Sequence, residues 1–216
     1  MIKHPKDIEY FETYPAPVME HIHKLHYTNV NSTITFFGPM LYFMLRALVS
    51  ERVLEIGHAE GYTAHYLAHA VKDNGVRFGM KDNMYYGVDI VQTDKVRAAL
   101  DAEGLPNTLI NIDSALITPD TFKDITFDVV FQDGAHDTEH VLHEIKTLWP
   151  QLRGDGKGYW IFHDCYGPAE EGFREVKKLI EAGVFKCEWI RIDCIYGLAI
   201  LRKIDNYDQN KKHWTD

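Results

Sequence analysis

The stretch Val53-Leu-Glu-Ile-Gly-His-Ala-Glu-Gly-Tyr-Thr63 decides the fold. Arg52 to Ile56 is a short, β-branched run that reads as a strand. Gly57 to Gly61 is a glycine-bounded turn, and Tyr62 to Val71 reads as a helix with Tyr66, Leu67 and Ala70 available for packing. A strand that feeds a helix through a tight turn is the opening unit of an α/β sheet.

The pattern continues in both directions. Upstream, the text from Phe37 predicts a helix with Leu41, Met44, Leu45 and Leu48 on one face and Gly38-Pro39 in its first turn. Downstream, strands are expected at 84–90, 108–112, 127–132 and 158–162. Helices are expected at 94–103, capped by Thr93, at 138–150 and at 169–182. The helix 138–150 would turn Val141, Leu142, Ile145 and Leu148 inward and His140, Glu144 and Lys146 outward. The runs 186–193 and 196–203 are joined by a short turn at Cys194-Ile195, so they must pair as an antiparallel hairpin. The sum is an α/β, Rossmann-like, doubly wound sheet with helices on both faces and a helical N-terminal extension.

Composition narrows the function classes. The chain has 216 residues, 45% hydrophobic and 25% charged, which suits one domain with a real core. Its 23 Lys and Arg against 32 Asp and Glu give a net charge of −9, which disfavours a broad nucleic-acid surface. Cys165, Cys187 and Cys194 have no paired spacing and fit free thiols in a reducing compartment. No run reaches the roughly 18 apolar residues of a membrane span. The start lacks an apolar leader core, so no membrane partner and a cytoplasmic location are expected. The division expected is an extension and candidate lid at 1–36, the catalytic or binding domain at 37–205 and a polar tail at 206–216. His21, His23 and His26 lack an acid or Cys at ligand spacing and read as a solvated segment. Tyr10, Phe11, Tyr14, Phe36 and Phe37 read as packing groups.

The turn also carries the first chemical signal. A dinucleotide site calls for G-x-G-x-x-G, but this chain reads Gly57-His-Ala59-Glu-Gly61 and lacks the middle glycine that admits a pyrophosphate. Glu55 just before the turn would repel phosphate and favour a cationic amino group. Asp89, at the end of the next strand in Tyr86-Gly-Val-Asp-Ile90, can accept both hydroxyl hydrogens of a ribose. A nucleoside bearing an ammonium group fits better than NAD.

In Val53–Ala68 with Gly87–Ile90, Phe127–Asp133 and Gly158–Asp164, the chain resembles the class I methyltransferases that use S-adenosylmethionine (SAM). The likeness covers residues 38–203 in order and spacing. It implies a sheet of order 3-2-1-4-5-7-6 with strand 7 antiparallel, in agreement with the terminal hairpin. It also implies that Glu55, Gly57, His58 and Gly61 hold the methionine part of SAM, Asp89 and Ile90 the ribose, and Asp113 and Ser114 the adenine.

The second signal is Phe131-Gln-Asp133-Gly-Ala-His136-Asp137, followed by Phe162-His163-Asp164-Cys165. Two strand ends thus present Asp133, His136, His163 and Asp164 to one crevice as an acid/base or metal constellation. Methyl transfer from a sulfonium to a hydroxyl needs in-line alignment and removal of a proton. A histidine is a suitable base at neutral pH, and a divalent cation would lower the pKa of the hydroxyl. Asp-Gly-x-His, Trp149-Pro-x-Leu and Phe-His-Asp are similar to the subgroup of sugar and macrolide O-methyltransferases and cephalosporin-hydroxylase-like proteins. That likeness implies His136 as base, a metal at Asp133, His163 and Asp164, and a hydroxylated small-molecule acceptor. Asp133 is also a candidate for the amino group of SAM. His163 stands where such enzymes have an acid, which sets zinc, manganese, iron or no ion beside magnesium. Two other readings stay open here: a non-catalytic SAM-binding module or partner subunit, and an NAD-dependent oxidoreductase. The oligomeric state also stays open, a homodimer included.

Overall fold

The computed structural model describes residues 34–193 and 196–205. Its strands are β1 (Arg52–Ile56), β2 (Met84–Asp89), β3 (Asn107–Asn111), β4 (Val129–Gln132), β5 (Gly158–His163), β6 (Cys187–Ile192) and β7 (Leu198–Lys203). Its helices are α1 (Ile34–Leu48), α2 (Tyr62–Phe78), α3 (Thr93–Ala102), α4 (Thr138–Leu148) and α5 (Glu170–Glu181). They form one seven-stranded sheet of order β3-β2-β1-β4-β5-β7-β6. Every pairing is parallel except those of β7, which runs antiparallel to both β5 and β6. This is the expected Rossmann-like sheet.

Alternation along the strands sends apolar side chains to both faces. Val53, Tyr85, Val129, Phe131 and Ile161 meet α1, α2 and α3. Leu54, Ile56, Val88, Val130, Trp160 and Phe162 meet α4 and α5. β1 and β4 are buried almost throughout because helices cover both faces. The strand order reverses between β1 and β4, so their carboxyl ends part and open a crevice. The glycine turn, the end of β2 and the loop after β4 all reach that crevice.

Several boundaries differ from the sequence reading. α1 begins at Ile34, which places Pro39 inside the helix rather than in its first turn. α1 lies close to α2 at Gly38, where a Cβ would overlap the ring of Tyr66. α2 continues to Phe78 and ends on Gly79 in the left-handed region, φ 68°. Gln92 (φ 55°) is the N-cap of α3, and Thr93 is its first, buried residue. Phe127 stands outside β4 and makes an isolated bridge to Leu152. In α4, Asp137 is the N-cap, its carboxylate accepting from the amides of Glu139 (3.1 Å) and His140 (3.0 Å). Glu144 is fully buried, where an outward side chain was expected.

The histidines at 21, 23 and 26, the aromatics at 10, 11 and 14, the side chain of Phe36, the Cys194-Ile195 turn and the tail from 206 lie outside the described residues. Among the described residues, no helix is long and apolar enough to cross a membrane.

Candidate active site

A cleft of about 510 Å³ lies over the carboxyl ends of β1, β2 and β4. Its lining includes Ile56, Gly57, Ala59, Asp89, Ile90, Val91, Ile112, Asp113, Ser114, Asp133, Gly134, Ala135 and His140. Gly57 has φ +86°, and a Cβ there would overlap the Asp133 carbonyl. Glycine is therefore what lets the first turn and the loop after β4 close on each other at the base of the cleft. Gly61 (φ 87°) caps α2, and its carbonyl accepts from Nδ1 of the buried His65 at 2.7 Å.

Asp89 closes one side. Its Oδ2 accepts from the Ala59 amide and its Oδ1 from the Val91 amide, both at 2.8 Å. Lone pairs remain on both oxygens for ligand hydroxyls. Beyond it, Ile90 and Val91 present apolar surface, Ile90 64% exposed, and Ile112 joins them. A carboxylate next to an apolar bed suits a ribose followed by a flat base. Asp113 and Ser114 also line the cleft.

Glu55 and His58 do not line the cleft. The Glu55 side chain turns to the other face of β1, is fully buried and accepts a short hydrogen bond from the Tyr85 hydroxyl. Burial pushes its pKa well above the usual carboxylate value, against the lowering effect of Tyr85. It therefore acts under the turn rather than as a charge beside the ligand. His58 is buried too, with Nδ1 3.2 Å from the Ala59 carbonyl and 3.9 Å from Asp89. Its pKa is lowered by burial against the attraction of Asp89. Gly57, Asp89, Ile90, Asp113, Ser114 and Asp133 do line the cleft.

The acid–histidine cluster adjoins the cleft through Asp133. Ligand atoms of Asp133, His136 and Asp164 all lie within 4.8 Å of one another. His136 Nε2 is 3.3 Å from Asp164 Oδ2. Asp164 has φ 57°, an uncommon conformation for a residue other than glycine, and it aims this carboxylate at the loop after β4. His163 plays another part. Its Nδ1 lies 2.8 Å from Asp133 Oδ1 and 3.1 Å from Asp164 Oδ1, and its ring edge meets Phe37 of α1. Burial works to lower the His163 pKa, but the bonds and charges of Asp133 and Asp164 outweigh it and raise it to about 9. Asp133 is raised by burial, partly offset by His163. A protonated His163 is a donor, so it orients the two acids while His136 takes the third corner of the cluster.

Two carboxylates and an imidazole make a donor set that a divalent cation can use. Sequence reasoning missed His140, which lines the cleft, and Glu144, which lies beneath it. Glu144 follows Val141 by three residues on the inward face of α4, a spacing its charge had overridden.

Residues 54–165, more than half of the chain, match the model of a family described as a methyltransferase domain. The chain belongs to this family. The class I SAM-dependent methyltransferase resemblance is thereby shown, and neither the oxidoreductase nor the bare binding module is favoured. Solved methyltransferases share the fold of this methyltransferase domain. The SAH-bound PaMTH1 from Podospora anserina is 14% identical, covers 95% of this chain and 98% of its own, and has a TM-score of 0.65. The SAM-bound O-methyltransferase TomG from Streptomyces achromogenes is 15% identical over 94% of this chain and 100% of its own, TM-score 0.62. MycE of the mycinamycin pathway, solved with Mg, SAH and mycinamycin VI, is 18% identical over 99% of this chain and 66% of its own, TM-score 0.62. No curated protein sequence matches the chain.

Proposed function

We propose that this methyltransferase domain moves a methyl group from SAM to a hydroxyl oxygen of a small molecule. The observation that carries the reading is the junction at Asp133, which belongs both to the cofactor cleft and to the Asp133–His136–Asp164 cluster. A cleft with a ribose-type carboxylate and apolar bed thus opens onto a base and two acids, which is the adjacency that transfer to a hydroxyl needs. The solved relatives bound to SAM or SAH, and the macrolide bound to MycE, support the same class.

In this reading Asp89 receives the ribose hydroxyls, Ile90, Val91 and Ile112 bed the adenine beside Asp113 and Ser114, and Gly57 lets the main chain approach the methionine part. Asp133 faces the amino group of SAM. His136 takes the acceptor's hydroxyl proton on Nδ1, the ring nitrogen that does not face Asp164, as the C–O bond forms and the C–S bond breaks. Asp164 stabilises the resulting imidazolium, and His163 holds Asp133 and Asp164 in place. SAH and a methyl ether leave. Asp133, His136 and Asp164 also fit a divalent cation, which when bound would supply Lewis acidity toward the acceptor oxygen in place of the proton transfer to His136.

The test has two parts. Calorimetry with SAH should show binding by the native chain, and a methyl-transfer assay over hydroxylated sugars, macrolides and phenols should show turnover. His136→Ala should cut turnover by roughly 10²- to 10⁴-fold while SAH affinity stays within about twofold. Equal turnover by the variant would remove His136 from the reaction. A manganese titration that saturates the native chain but not Asp164→Asn would support the metal site.

A further inference from the structure

Beneath the Ser114 end of the cleft lies a buried polar chain that takes no part in the methyl transfer described above. Trp160 Nε1 donates to Gln132 Oε1 at 2.9 Å. Tryptophan can only donate, so this bond fixes the Gln132 amide with its nitrogen turned the other way. That nitrogen donates a short bond to Glu144 Oε2. The second carboxyl oxygen, Glu144 Oε1, is fully buried and has no hydrogen-bond partner. It is aimed at the floor of the cleft: a Cβ on Gly134, a lining residue, would lie 3.6 Å from it. The next polar group on that side is the Ser114 hydroxyl, which also lines the cleft and lies close enough to lower the proton affinity of Glu144.

An orphaned carboxyl oxygen in a buried site costs free energy that an apolar residue would avoid. Here it faces the one hydroxyl at the end of the cleft where the cofactor's base is read. A serine hydroxyl has one hydrogen and two lone pairs. When Glu144 accepts that hydrogen, only lone pairs of Ser114 face the cleft, and they suit a ligand donor such as the exocyclic amine of adenine. When residue 144 donates instead, Ser114 turns its hydrogen to the cleft and suits a carbonyl.

We propose that Glu144, acting through Ser114, sets the direction of the hydrogen bond offered at the base end of the cleft, so that the protein selects a 6-amino purine nucleoside over its 6-oxo counterpart. The inference rests on the SAM reading above. Glu144 is a positioning residue, since it reaches the ligand only through Ser114.

The test compares two ligands by calorimetry at pH 8, where Glu144 is ionised and accepts: SAH and its deaminated form, S-inosylhomocysteine. The native chain should prefer SAH by about tenfold or more, the size of one mismatched buried hydrogen bond. Glu144→Gln keeps the shape and the bond from Gln132 but can donate to Ser114, so it should reduce that ratio by about tenfold. Ser114→Ala leaves the buried chain intact and should reduce it as well, which keeps the test open if Glu144→Gln fails to fold. A purely structural role for Glu144 would lower both affinities together and leave the ratio alone. An unchanged ratio in both variants, with SAH still bound, overturns the inference and spares the cofactor reading. A native chain that binds neither nucleoside overturns both.

Discussion

Asp89 holds the glycine turn with one carboxylate oxygen and the chain after β2 with the other. Asp89→Ala therefore takes an acceptor from two exposed amides, which water can replace, and, in the proposed cofactor reading, from the ribose, which has no substitute. SAH affinity should fall by roughly ten- to a hundredfold in calorimetry, in line with loss of charge-assisted hydrogen bonds, with little change in melting temperature. A loss of stability without a loss of affinity would reassign Asp89 to the loop alone. Its place at the end of β2 was legible because the apolar run before it marks the strand and the cleft opens at the strand ends. Glu55 shows the opposite case. Its place before the turn was visible, but strand alternation sends its side chain to the far face, where it meets Tyr85. His163 was legible as a site residue, while its part depended on which acids its Nδ1 would meet, a matter of rotamer and loop path.

At the scale of elements, α1 packs on the sheet and on α2, and the closeness of the helix contact is set at Gly38 against Tyr66. Gly38→Val should push the helices apart and cost about 1–3 kcal/mol by chemical denaturation, as overpacking does. Because Phe37 beside it meets the ring of His163, the same variant should also weaken turnover more than SAH binding. Unaltered turnover in a destabilised variant would uncouple α1 from the site. The order of strands and helices could be read from apolar runs and their punctuation, including the final hairpin. Helix limits could not, because they depend on tertiary partners. α2 runs on to Gly79, well past the helical text recognised in the sequence, and α1 tolerates Pro39 inside it. Glu144 was assigned to the outer face by its charge, although its three-residue spacing from Val141 put it on the inner one. Charge is a poor guide wherever a buried partner such as Gln132 is supplied from another element.

For the whole molecule, two buried carboxyls make stability depend on pH in an unusual direction. Glu55 is held well above the usual carboxylate range by burial, and Glu144 is raised by burial from 4.5 to about 7, against the lowering effects of Ser114, Gln132 and the His140 charge; Asp137 adds to the rise. Both favour the protonated form in the folded state. Their contribution is complete below the unfolded value of about 4.5 and is lost as pH rises through the folded value. For Glu144 the window runs from about 4.5 to about 7, and the shift corresponds to something on the order of 3 kcal/mol. Asp113 and Asp137 have the opposite sign, lowered by their backbone and His140 bonds, so they act only as pH falls through their low values, outside this window. The denaturation midpoint of the native chain should therefore decline between pH 5 and pH 7, where many proteins are near their most stable. Glu144→Gln cannot ionise and should flatten that decline, giving a variant that is closer to native, or more stable, at pH 7 than at pH 5. Parallel pH profiles for the two chains would mean that Glu144 titrates alike in the folded and unfolded states, and the buried acid under the cofactor cleft would then not shape how the domain's stability changes with pH.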